Sequence, residues 1–316
     1  MLRCERNRHA TTPRTLFVDF LLRCIMPKFL PETDFRARRI VLTRKDLAFA
    51  SKPAPRPSDM IDKATWESIV VLPDDVAVRT SNYHGTVLMQ LDALWRAWVE
   101  SIGDVQDSIF PVMLDAGDDF QAATYAALTG FYRLSIAALR SALELTTIGA
   151  WAQVCGKDQE FRDWRAEKIP LPFGQACDGL CGATTTLRAH LRATINDSLF
   201  DQKSSGDEGG FLRRMYGGIS GFSYSRPGYS DGDVRESNGP IHVRTAFNHV
   251  AWMQFETLGA CFVLVLLARP KQWLPAPAVE LFHDVKHVKS RATRAAFEFL
   301  FEEPPSQMRR GRRGTR

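Results

Sequence analysis

The sequence predicts a mainly α-helical protein, a helical bundle with at most a short β-hairpin near residues 68–81. Three observations predict it. From Gly85 onward apolar residues recur at the three- and four-residue spacing of helix faces. These helical patterns are joined by stretches rich in glycine and proline. The best strand-like text is "SIVVLPDDVAVRTS" (68–81), two β-branched runs around Pro73-Asp74-Asp75 that suit a hairpin.

Taken in order, "SKPAPRPSD" (51–59) reads as an extended proline-rich linker. In "TVLMQLDALWRAWVESI" (86–102), Asp92, Arg96 and Glu100 stack four apart as a polar stripe. Leu88, Leu91, Trp95, Trp98 and Ile102 lie away from it and supply core. A second helical stretch runs from Asp118 to Val154, opened by acidic residues as the positive end of a helix dipole favours, with Gly130 placed to bend or split it. Residues 155–182 read as a short helix followed by a Pro/Gly loop, 183–200 as helix and 201–210 as a flexible connector. "GGISGFSYSRPGYSDG" (217–232) reads as a glycine-aromatic loop. A long apolar helix then ends before Pro270, and a last helix covers 278–303.

An apolar share of 45% and a charged share of 24% are those of a soluble globular protein. The longest uncharged apolar run, Thr257–Ala268, falls short of the roughly 20 residues that span a bilayer and suits a buried helix. "LFVDFLLRCIM" near the start is broken by Asp19 and Arg23, and no small-residue cleavage site follows, so it does not read as a signal peptide. Six cysteines are too sparse for a disulfide framework, and a reducing cytoplasm with no membrane partner is the expected setting.

Charge divides the chain. Residues 1–57 carry 13 Lys/Arg against 5 Asp/Glu, and 309–316 carry five Arg and no acid, whereas the body between them is net acidic. The expected organisation is a basic N-terminal arm with its linker (1–57), one α-helical domain (58–305) and a basic tail (306–316). Such arms are either solvated tails or non-specific holders of nucleic-acid phosphates.

Most motif matches lack the context their chemistry needs. "GYSDG" (228–232) has the hydrolase G-x-S-x-G spacing, but neither a strand before Ser230 nor a helix after it. "HDVKH" (283–287) resembles half of a zinc site, yet its histidines fall beside Arg291 and Arg294 on a polar face. "CDGLC" (177–181) has no matching second pair and reads as buried or idle thiols. No Walker A or G-x-G-x-x-G sequence is present, and neither metal nor cofactor is expected.

Arg140 and Glu144 are the only charges between Leu134 and Val154 and can pair at i, i+4, as a thin exposed stripe or as a partly buried pair; the stripe is the favoured reading. An arginine followed by a histidine with four to six residues between them occurs four times, at Arg3/His9, Arg79/His84, Arg235/His242 and Arg244/His249. Of these only the last falls on a clearly helical pattern. There a guanidinium for phosphate and an imidazole for proton transfer would supply what metal-free RNA cleavage needs; the alternative is a helix-start histidine satisfied by local hydrogen bonds.

"LRSALEL" on one apolar helix, "SGFSYSRPG" in a later loop and R-x4-H on the next helix together resemble the HEPN superfamily (higher eukaryotes and prokaryotes nucleotide-binding), particularly its bacterial branches linked to phage defence and mobile elements. The resemblance covers about residues 85–268. It implies an all-α bundle that often forms a homodimer and cleaves RNA without metal. On that basis Arg244 holds phosphate, His249 moves the proton and Asn248 orients it or the substrate. Thr245 follows the arginine where active members commonly carry Asn, His or Asp. Tyr224, Arg226 and Tyr229 are expected to contact RNA by stacking and charge, with Arg140 and Glu144 also near the substrate. A non-catalytic helical interaction module is the alternative function.

Overall fold

The structure, a computed structural model, describes residues 61–202, 209–223 and 239–302. Apart from Ile61, these belong to one unit, Asp62–Arg316. It is built from helices, and no strand forms among the described residues.

A helical turn Lys63–Trp66, capped by the Asp62 carboxylate on the Thr65 N–H (2.9 Å), and a π-helical turn Glu67–Val71 lead into α1, Leu72–Ile102. The hairpin expected at 68–81 is therefore absent. Pro73 at the first turn needs no N–H partner, Asp74 and Asp75 meet the positive end of the helix dipole, and Val76, Thr80 and His84 fall at i, i+4 on the buried face. Those positional signals outweigh the β propensity of the valines.

The next helices are α2 (Phe110–Leu128), α3 (Tyr132–Cys155), α4 (Asp158–Arg165), α5 (Phe173–Ala183) and α6 (Thr185–Ile195). The chain continues through α7 (Phe211–Ser223), α8 (Arg244–Ala268), α9 (Ala276–His283) and α10 (Arg291–Glu302). Gly130, at φ +84°, separates α2 from α3. The stretch after α4 that reads as a loop contains α5. Residues 217–223 of the expected glycine-aromatic loop close α7, while Tyr224, Arg226 and Tyr229 lie outside the described residues. The last helix is interrupted at Asp284, which takes extended φ/ψ.

Helices α3 and α8 form the centre: α3 packs on α2, α5, α7 and α8, and α8 also meets α1, α2, α9 and α10. Length and apolar content would let α8 cross a bilayer, but 94% of its most apolar window is buried inside the protein, and it serves as the core helix. Gly149 lets α3 close on α2, since a Cβ there would stand 2.3 Å from Val112 Cγ2. Trp98, fully buried, donates its indole N–H to the Met113 carbonyl (2.9 Å) and meets Phe120 and Phe262 edge-on, which satisfies its polar atom inside an apolar cluster.

The end of α8 is fixed by one buried guanidinium. Arg269 clasps both oxygens of Asp107 (2.8 and 2.7 Å) and donates to the carbonyls of Ile102 (2.6 Å) and Val105 (2.9 Å). At the other side, the buried Glu256 carboxylate accepts the N–H groups of Lys289 (2.6 Å) and Ser290 (3.1 Å) and so sets the approach to α10.

Candidate active site

Where α8 begins, it meets the bend of α1. His84 departs from helical geometry inside α1 (φ −128°, ψ 19°), just before Gly85. Its ring is buried, stacked on Phe247 of α8 with centroids 4.2 Å apart, and lies 5.6 Å from the ring of His242. His242 in turn stacks on Tyr83 (5.2 Å, planes 13° apart).

The segment carrying His242, residues 239–243, is held from below. The Val243 N–H donates to the hydroxyl of Tyr132 at 3.0 Å, and Tyr132 is wholly buried at the head of α3. The backbone of Ile241 passes so close to Gly130 that a Cβ there would stand 2.6 Å from its carbonyl oxygen; the positive φ of Gly130 independently demands glycine.

Burial holds the imidazole of His84 below the ordinary histidine range, and His242 and Arg244 push it the same way. Burial, then the charge of Arg79, lowers that of His242. Both shifts favour the uncharged imidazole. The Nε2 atoms of His84 and His242 are buried and meet no hydrogen-bond partner among the described residues. An uncompensated buried polar atom costs roughly 1–3 kcal/mol, so two in neighbouring rings ask for an explanation. Arg79, one turn before Tyr83 on α1, is exposed and donates from Nε to Asp75 (2.7 Å).

The sequence-predicted residues distribute unevenly around this cluster. Arg244 joins it, its charge acting on His84. Asn248, exposed and one turn further along α8, lies on the same face as Arg244. His249 does not: five residues from Arg244, it points about 140° round the helix. Its ring is 5.7 Å from Trp252, and burial and the charge of Lys289 lower its pKa. Arg140 and Glu144 belong to another contact. Arg140 donates to Tyr216 (2.6 Å) and Ser220 (3.0 Å), and the Tyr216 hydroxyl donates to Glu144 (2.9 Å), tying α3 to α7. Their side chains are 23% and 31% exposed, so the partly buried pair, rather than the favoured exposed stripe, is what forms.

The discarded metal motifs part along the same lines. His283 ends α9 and His287 lies past the break, its Nδ1 3.4 Å from Asp284, so helical i, i+4 spacing is lost. Cys177 and Cys181 are buried on α5, and burial pushes the Cys177 thiol up to about 12. Among the described residues no three His, Cys, Asp or Glu side chains gather as metal ligands would. Ser230 lies outside the described residues.

His84, His242, Tyr83 and Phe247 are the members of the cluster that sequence reasoning did not select. The signal for two of them was present in the Arg79/His84 and Arg235/His242 spacings, set aside because neither sits on a clear helical pattern in the sequence. Comparison with protein-family models, curated proteins and solved structures returns no match.

Proposed function

We propose that the chain is a metal-independent endoribonuclease in which His84 and His242 are the acid–base pair and Arg79 and Arg244 hold the phosphate. The observation that carries this reading is the pairing of two imidazoles, ring centroids 5.6 Å apart with buried uncommitted Nε2 atoms, each feeling the charge of an arginine, Arg244 on His84 and Arg79 on His242. RNA contains its own nucleophile. One imidazole, in its neutral form, takes the proton of the 2′-hydroxyl as that oxygen attacks phosphorus and the bond to the 5′-oxygen breaks, and the other, in its protonated imidazolium form, gives its proton to the departing 5′-oxygen. The products are a 2′,3′-cyclic phosphate and a 5′-hydroxyl end. Guanidinium groups neutralise the charge that gathers on the phosphate oxygens. The likeness to the HEPN superfamily points the same way, toward enzymes of toxin or phage-defence type, with Arg244 and Asn248 retained and His249 replaced by His84 and His242.

Purified full-length protein incubated with mixed cellular RNA in EDTA tests the reading. Cleavage by the wild type and a loss of roughly 100-fold or more in His84→Ala and in His242→Ala are expected, against a few-fold change in His249→Ala. Equal rates in all four proteins would sink it.

One observation favours a second reading, a non-catalytic interaction module. No residue of Lys63–Val71 is buried, and Ile69, Val70, Val71 and Leu72 are all exposed. Four consecutive apolar residues reach most of the way round a helix, more than one flat neighbour covers. Under this reading Val70→Asp abolishes recruitment of a partner and the histidine variants change nothing.

A further inference from the structure

Resting on that reading of the His84/His242 cluster, we infer that Tyr83 is a base-stacking platform and that it restricts the site to an unpaired strand. Tyr83 is 70% exposed although one of its faces lies parallel to the His242 ring at 5.2 Å. The opposite face must then be open to solvent. Exposed aromatic residues are common and need no explanation singly. Tyr83 differs in being stacked on an imidazole of the candidate acid–base pair, so a planar group laid on its open face sits two layers from that imidazole.

Arg79 completes the arrangement. It precedes Tyr83 by one helical turn, on the same face of α1, and its charge reaches both Tyr83 and His242. A nucleotide whose base lies on Tyr83 therefore has a cation within reach for its phosphate. Stacking of this kind accepts any base, because every base offers a π-face. It does not accept a base inside a duplex, where both faces are already covered; the base must be splayed out, as in loops, bulges and single strands. Tyr83 thereby selects for strandedness rather than for sequence, and it acts through ring area, so the hydroxyl is dispensable.

The test uses the full chain in EDTA and single-stranded oligonucleotides of about 12 residues, each with one 2-aminopurine at a different position and 2′-deoxyribose at every position so that no linkage can be cleaved. Wild type quenches the fluorophore at a preferred position; Tyr83→Phe and Tyr83→Trp preserve the quenching, and Tyr83→Ala abolishes it. Total binding, followed by anisotropy, changes less, because Arg79 and Arg244 still attract the phosphates. On cleavable RNA, Tyr83→Ala raises KM roughly 5–150-fold with kcat less affected, and a duplex of the same sequence is cut poorly. Unchanged quenching in Tyr83→Ala, or equal cleavage of duplex and single strand, overturns the inference. The two proposals fail separately: Tyr83-dependent quenching without cleavage leaves the platform and removes the nuclease. Histidine-dependent cleavage indifferent to Tyr83→Ala does the reverse.

Discussion

Val243 donates its backbone N–H to the phenolic oxygen of Tyr132 at 3.0 Å, and this single bond joins the buried head of α3 to the residue after His242. Tyr132→Phe keeps the ring and the packing but leaves that N–H without its acceptor. A loss of about 1–2 kcal/mol is expected in chemical denaturation. A larger relative drop in RNA cleavage should accompany it, since the bond positions His242. Equal activity at full occupancy of the folded state would show that the segment is held by its other contacts.

Gly130→Ala attacks the same segment from its other support. The positive φ and the 2.6 Å approach to the Ile241 carbonyl oxygen must both be relieved. The cost should exceed the roughly 1 kcal/mol of a simple left-handed alanine, because backbone, not a flexible side chain, has to move. Thermal melts compared with Gly103→Ala, where φ is also positive (+61°) but an added Cβ meets nothing within 4 Å, separate the two contributions.

The pH dependence of cleavage follows from the two lowered imidazoles. Acid–base catalysis needs one protonated and one neutral, so the rate peaks between their two pKa values. Both lie below the ordinary 6.5, which puts the optimum on the acid side of that value in a bell-shaped profile of kcat/KM. The same shifts affect folding. Between the folded and unfolded values the unfolded chain binds more protons, so stability contributed by these residues is lost as pH falls below 6.5.

Asp119 moves in the opposite sense. Burial pushes its carboxyl up to about 6, with the Ser141 hydroxyl restraining it and the charges of Asp115 and Asp118 adding to the rise. From the unfolded value of 3.8 to about 6, the folded chain holds a proton that the unfolded chain has released, so stability falls as pH rises through that window. Asp119→Asn should therefore raise the melting temperature at pH 8 by the equivalent of about 2–3 kcal/mol and change little at pH 3. Melts at the two pH values decide it.

Arg269 makes a stability prediction free of the site. Replacing it with Met strands the largely covered Asp107 carboxylate and two carbonyls, at an expected cost of about 3 kcal/mol. The double variant Arg269→Met/Asp107→Leu should recover part of this in urea denaturation, because no unpaired charge then remains.

The helical bundle was legible because its periodicity is local: the stripe of Asp92, Arg96 and Glu100 is exposed, and Leu91, Trp98 and Ile102 are buried, as spacing alone requires. At 68–81 the reading weighed valine propensity above the start signal of Pro73, Asp74 and Asp75, and so lost the N-terminal part of α1. That error hid the candidate site as well, since Arg79 and His84 then had no helix to share. The rest was illegible for a different reason. Tyr132 meets Val243, Gly130 meets Ile241 and His84 meets His242 only through tertiary contact, and nothing in their spacing along the chain records it. Arg244 and His249 show the converse: five residues apart in sequence, they are turned apart by the helix that carries both.

The departure of His84 from helical geometry carries a cost for anyone who would engineer this protein. A sequence optimised for a regular α1, with alanine or leucine at 84 and a helix former in place of Gly85, gains propensity and removes a buried imidazole with an orphaned nitrogen. Selection for heat resistance alone would thus drift toward erasing the very irregularity on which the proposed chemistry stands, and hardened descendants should be screened for turnover at every round.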